Sequence, residues 1–263
     1  MMFLSHLMID VGINPDRPRP GRLWLRNPYH IHQRLSMAFP SEDQVNQDPH
    51  FLAPYQRQNF DQVRFLFRVD NSIEAECPRA IILVQSEAKP DWDYAFHNAR
   101  MFLAADPAVR EYNPRFNSGD CCRFRIRANL SKKSMAHRRV LTTVDTTGRP
   151  QSQGKRVALT WDSDQDPNDV IGQWFAGKMS GRGCEMTDCR LLHMGWVKAF
   201  QRRSRPSDSI AGDGKCERQM KFLSGLLEGT LRVSEPDLFQ RTITSGVGSA
   251  KAFGFGLLTV VQA

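Results

Sequence analysis

"VRFLFRVD" (63–70) and "RAIILVQS" (79–86) are two runs of strand length, rich in branched and aromatic side chains, separated by a short polar segment. Their neighbours decide what they belong to. On the N-terminal side, residues 28–39 place Ile31, Leu35, Ala38 and Phe39 on one stripe at helical spacing, with Asn27 suited to cap the helix and Pro28 to its first position. Residues 2–12 before that helix read as a strand, and residues 92–104 and 110–117 after the pair read as a helix and a strand. The order is βαββαβ.

The same order returns further on. Residues 121–129 read as a strand, 166–179 as a helix entered through Asp166, Pro167 and Asn168, and 186–200 and 217–233 as strands. A helix starting at Ser234, with Asp237 as capping partner, precedes a last strand over 255–261. Two consecutive βαββαβ units predict an α+β protein of two tandem ferredoxin-like, RRM-like domains, a split βαβ plan often used to bind RNA. The expected domains are residues 1–118 and 121–263, with a hinge near Asn117 to Asp120. Segments 41–60 and 130–160 are polar and turn-rich, and read as long loops.

Charge is unevenly distributed between the two units. The chain of 263 residues has a net charge of +8, yet residues 1–120 carry 13 basic and 15 acidic side chains, whereas residues 121–263 carry 23 and 13. Residues 121–156 alone hold ten Lys or Arg against one acid, Asp145, a density suited to a polyanion. No run approaches the ~20 apolar residues of a membrane helix, and "MMFLSHLMIDVGI" (1–13) reads as a first strand rather than a signal peptide, so a cytoplasmic address with no membrane partner is expected. Cys184, Cys189 and His193 lack the second ligand pair of a zinc site, which favours idle or buried thiols.

Three features could carry chemistry. In "RFRIRAN" (123–129) Arg123, Arg125 and Arg127 alternate with Phe124, Ile126 and Ala128, so the arginines share one strand face; Lys132, Lys133, Arg138 and Arg139 follow closely, and together they favour nucleic acid over a merely solvated face. "GVGSAKAFGFGLLTV" (246–260) brings Lys251 among Gly246, Gly248, Gly254 and Gly256. It lacks a P-loop ending, and serves either as a helix cap with a tight turn or as a backbone cradle for a phosphodiester. Finally, "NPYHIHQRLSMAFP" (27–40) sets Tyr29 and His32 three residues apart on a polar flank of the helix, while His30 projects elsewhere. A neutral imidazole can take the proton of an RNA 2′-hydroxyl, and a tyrosine can orient or protonate groups around the adjacent phosphate. The residues alone also allow a satisfied surface histidine. No cluster of acidic metal ligands and no set of convergent ionisable groups for a small-molecule pocket stands out.

"NPYHIHQRLSMAFP", "RFLFRVD", "AIILVQSEAKPDW", "RFRIRAN", "AGDGK", "LLEGTLRV" and "GVGSAKAFGFGLLTV" occur in an order that resembles the CasE family, the CRISPR repeat-processing endoribonucleases of type I-E Cascade complexes. The resemblance spans essentially the whole chain. It implies two ferredoxin-like domains that bind the repeat hairpin and cut at its base without metal or cofactor, leaving a 2′,3′-cyclic phosphate. It also implies retention of the mature guide RNA and of contacts with other Cascade subunits. Carried over by position, the catalytic pair is His32 with Tyr29, and Lys251 with its flanking glycines is the RNA-contacting loop. Arg34, Lys251 and the arginines of 123–127 are candidates for the cation at the cleaved phosphate. The rival reading is a non-catalytic RNA-binding module of the same fold.

Overall fold

The computed structural model describes residues 1–12, 14, 17, 19–50, 64–72, 79–144, 150–203 and 216–262. In the first half, β1 (Met2–Ile9), β2 (Phe65–Ser72), β3 (Arg79–Ser86) and β4 (Ala108–Tyr112) form an antiparallel sheet in the order β2-β3-β1-β4. Helices α1 (Pro20–Leu25), α2 (Pro28–Ser36), α3 (Glu42–Gln47) and α4 (Trp92–Ala95) complete this half. Leu7 and Ile9 of β1, Ile31 and Leu35 of α2, Phe67 of β2 and Ile82 and Val84 of β3 close one core between sheet and helices.

The second half repeats the plan. β5 (Cys121–Asn129), β8 (Cys184–Arg203), β9 (Cys216–Val233) and β10 (Leu258–Gln262) pair antiparallel in the order β10-β5-β9-β8, with α5 (Pro167–Met179) and α6 (Pro236–Ser245) on one face. Phe124 and Ile126 of β5 enter that core with Ile171, Phe175, Leu227 and Phe239, as their alternation requires. In each unit the first and third strands are central and the second and fourth lie at the edges, which is the ferredoxin-like sheet. Tandem ferredoxin-like architecture is therefore what the chain adopts.

Several elements differ from the sequence reading. Segment 130–160 is not a loop: β6 (Ser131–Val144) and β7 (Pro150–Ala158) form a separate two-stranded ribbon with register shifts. Its sequence shows no apolar alternation to mark it, and main-chain hydrogen bonds pair the two strands. Within 41–60, α3 forms behind a Ser41–Gln44 capping box, while 51–60 lie outside the described residues. The expected helix over 92–104 is only α4 followed by a 3-10 turn at Arg100–Phe102. Phe96 and Phe102 both pack on Trp24, with ring centroids 5.8 and 5.1 Å away. Six residues of α-helix would set them roughly 120° apart around the axis, so a continuous helix would not bring both rings onto Trp24. At α6, Pro236 occupies the first turn and Glu235 the cap position without a side-chain hydrogen bond, so Ser234 and Asp237 do not form a capping pair. The backbone N–H groups of Ser234 and Glu235 instead donate to the Gly183 carbonyl.

The two halves are joined across the face of the first sheet opposite its helices. Gln85 Nε2 donates to the Ile243 carbonyl of α6 at 2.9 Å. The principal link is Arg68, only 3% exposed, whose guanidinium holds Asp70 through Nε and Nη2 at 2.8 to 3.1 Å. Its Nη1 donates to the Arg125 carbonyl and to Thr259 Oγ1, both at 2.9 Å, on β5 and β10. Arg68→Ala should lower the unfolding free energy by about 2 kcal/mol, since the part-buried Asp70 carboxylate and two further acceptors lose a buried donor. Arg68→Lys should not restore it, because a single ammonium cannot span that fork. Urea unfolding measures both; a loss under about 1 kcal/mol for the alanine variant would show that Arg68 does not hold the halves together.

Candidate functional site

Asn27 starts the site. Its Oδ1 accepts from the Tyr29 N–H at 3.2 Å and so caps α2, as its sequence position predicts. The same side chain reaches across to the second half, where Nδ2 donates to the Phe200 carbonyl at 3.0 Å and Oδ1 accepts from the Phe200 N–H at 3.2 Å. One buried amide thus caps the helix and pairs with the edge strand β8 like a neighbouring strand. This places the first turn of α2 at the seam between the halves.

Tyr29 is half-buried in that seam. Its hydroxyl accepts from Gln201 Nε2 at 3.4 Å, and its ring lies 6.3 Å from that of Phe253. His32, also half-buried, stacks on Phe65 at 5.1 Å and 23° between planes, with Phe67 behind at 6.3 Å. Two phenyl rings from β2 fix the plane of the imidazole, so its orientation is set by packing rather than by solvent. His30 is exposed, in keeping with its different direction from the helix.

Against this helix lies the glycine-rich turn. Lys251 to Phe253 form a 3-10 turn between Ala250 and Gly254, both with positive φ, and Lys251 Nζ donates to the Ser245 carbonyl at the end of α6. Burial, with Arg182 and Arg64 nearby, holds the Lys251 ammonium below the ordinary lysine range. Gly256, at φ 86°, sits where a Cβ would come within 2.6 Å of the Val247 carbonyl, and its own N–H donates to the Arg127 carbonyl at 2.9 Å. Gly246 and Gly254 are likewise closely approached, by Leu66 and Phe67, whereas Gly248 has open space around it. The turn is therefore both a helix cap and the part that meets α2, and only Gly248 leaves room for a ligand at the backbone.

The basic residues divide. Arg123 and Arg125 are exposed on the β5 face away from the core, as alternation predicts, but Arg125 is ion-paired with Glu228, which also takes Arg190 at 3.4 Å. Arg127 is half-buried beside Arg68 and Asp70, and burial pulls its guanidinium below the usual arginine range. Lys132 and Lys133 are exposed at the start of β6. Arg138 and Arg139 belong to the same strand; their side chains lie outside the described residues. Arg34 is directed elsewhere, donating to the Ala95 carbonyl at 2.9 Å and Asn98 Oδ1 at 2.8 Å. Among the candidate cations, Lys251 is the one whose turn touches the Tyr29 helix. Burial pushes the Cys184 and Cys189 thiols up to about 11, so neither is a ready thiolate ligand near neutral pH.

Sequence reading did not find Asn27 as an inter-unit latch, nor Gln201, Phe253 or Arg68. Asn27 and Phe200 are 173 residues apart, and only a helix-cap signal marks the asparagine.

Two ferredoxin-like units, with Tyr29 at their seam and His32 one turn further along the same helix on Phe65 of the first unit, define a tandem-domain protein. A family model described as CRISPR associated protein matches residues 2–262, and the chain belongs to this family as a CasE member. It is 26% identical over 265 residues to the CRISPR-associated endoribonuclease Cse3 of Thermus thermophilus, covering 98% of this chain and 99% of the relative. Among solved structures, the Thermus thermophilus Cse3 bound to an RNA representing a pre-cleavage complex is similar with a TM-score of 0.61 and 25% identity, over 99% of this chain and 98% of that one. The Cas6e protein of Escherichia coli K-12 shares the fold with a TM-score of 0.53 and 20% identity, over all of both chains. Among the described residues no helix is long and apolar enough to cross a membrane.

Proposed function

We propose that the protein is a metal-independent endoribonuclease that binds the repeat hairpin of a precursor CRISPR RNA and cuts at its base. The mature guide RNA stays bound, and the protein stays with other Cascade subunits. The observation that carries this reading is the pairing of Tyr29 and His32 one turn apart on α2, the Tyr29 hydroxyl held by Gln201 at the seam and the His32 ring plane fixed by Phe65. Similarity over the full chain to an endoribonuclease, and to one solved with a pre-cleavage RNA, supports it. Residues 1–118 and 121–263 are the two domains of this reading, the first carrying the catalytic helix and the second most of the basic surface.

In this mechanism His32 accepts the proton of the 2′-hydroxyl as that oxygen bonds to phosphorus. The P–O5′ bond breaks, the leaving oxygen is protonated, and the products end in a 2′,3′-cyclic phosphate and a 5′-hydroxyl. Tyr29 orients the phosphate or supplies a proton there, and the first turn of α2 offers a helix N-terminus to the anion. Lys251 is the cation assigned to the developing negative charge, with the backbone at Gly248 and the surface of Arg123, Arg125, Arg127, Lys132, Lys133, Arg138 and Arg139 holding the hairpin.

The test is to incubate the purified protein with end-labelled repeat RNA in excess EDTA and map both new ends. Cleavage at one position with a cyclic phosphate is expected. Hairpin binding without any cleavage, with or without added magnesium, would instead make it a binding module.

A further inference from the structure

The β8–β9 pairing runs unbroken in direction from Cys184 opposite Val233 to Arg203 opposite Cys216. Helix α5 reaches it at Leu191, whose N–H donates to Asn168 Oδ1 at 3.3 Å. Beyond that point, Met194, Trp196, Lys198 and Phe200 alternate on one face of an edge strand and all are exposed, Trp196 to 52%. Lys221 of β9 lies over the Trp196 ring at 4.5 Å from its centroid. Residues 192–201 and 219–225 contain Lys198, Lys221 and His193 but no Asp or Glu.

We propose that this projecting ribbon binds unpaired RNA nucleotides that flank the hairpin, with Trp196 as the stacking residue; the proposal rests on the endoribonuclease reading above. Aromatic rings interleaved with cations and free of acids suit a single strand, because every base has a π-face and every step a phosphate. Lysines in such a stripe argue against a protein partner, since the cores of protein interfaces are depleted in them.

Continuity with the site supplies the rest. Phe200 is the residue clamped by Asn27, and Gln201 holds the Tyr29 hydroxyl, so the ribbon leads directly away from the catalytic helix. Beside it opens a cleft of about 350 Å³ lined by Arg26, Ile31, Arg127, Val197, Lys198 and Phe253. The buried Nε of Arg127 meets no acceptor among the described residues. A strand leaving Tyr29 thus passes the cleft lined by Arg26, Arg127 and Lys198 and then the exposed indole.

Binding is measured by anisotropy with hairpins made uncleavable by one 2′-deoxy sugar, carrying no flank, a 5′ flank or a 3′ flank. Wild type should bind one flanked RNA more tightly than the bare hairpin. Trp196→Ala should lose roughly 5- to 100-fold of affinity on that RNA alone, the scale of one stacked base. Trp196→Phe should retain most of the gain, and bare-hairpin affinity should be unchanged in both. Equal binding of flanked and bare RNA by Trp196→Ala and wild type overturns the proposal while leaving the endoribonuclease reading intact. Loss of contact with another Cascade subunit without any change in RNA affinity also overturns it, assigning the ribbon to a protein. Failure of wild type to bind the bare hairpin at all would strike the endoribonuclease reading itself.

Discussion

His32→Ala should lower single-turnover cleavage of the repeat hairpin by roughly 10²-fold or more while leaving hairpin affinity and the unfolding midpoint nearly unchanged. The side chain is half-buried against Phe65 and Phe67, but the core beneath α2 is built by Ile31 and Leu35, both fully buried. The helix therefore keeps its place when the imidazole is removed. His30→Ala is the control: it is exposed on a different side of α2 and should cut almost normally. Rates near wild type for His32→Ala, or loss of cleavage in His30→Ala instead, would refute the assignment of the base.

A repeat RNA with a single 2′-deoxy sugar immediately upstream of the scissile phosphate should bind as the all-ribose RNA does and show no detectable cleavage. The nucleophile in the proposed mechanism belongs to the substrate, held next to the phosphorus it attacks; without it no intramolecular path remains. Single-turnover assays of the two RNAs at saturating protein separate binding from chemistry. Cleavage of the deoxy substrate would mean that water attacks, and the cyclic phosphate and the role given to His32 would both fall.

Much of both units was legible because it depends on local periodicity. The Asn27 cap, the α2 stripe of Ile31 and Leu35, the outward arginines of β5 and the Asp166 cap of α5 all follow from spacing within one element. Reading failed where an element gets its stability from elsewhere. The β6–β7 ribbon carries no apolar alternation in its sequence, and the expected helix over 92–104 is interrupted where Phe96 and Phe102 both pack on Trp24, far earlier in the chain.

Backbone periodicity and composition belong to short stretches of chain, and they suffice for the two βαββαβ units, the concentration of positive charge in the second, and the common helical face of Tyr29 and His32. The tertiary fold decides that Tyr29 meets the glycine-rich turn and β8. It also decides that Arg125 is paired with Glu228, and that Arg34 is drawn to Ala95 and Asn98 while Lys251 stays near the helix. The physical reason is that these relations are contacts across the seam or between distant strands. Their partners are set by how two cores pack together through Arg68, Asn27 and Gln85, and no periodicity within either unit encodes which residues will meet.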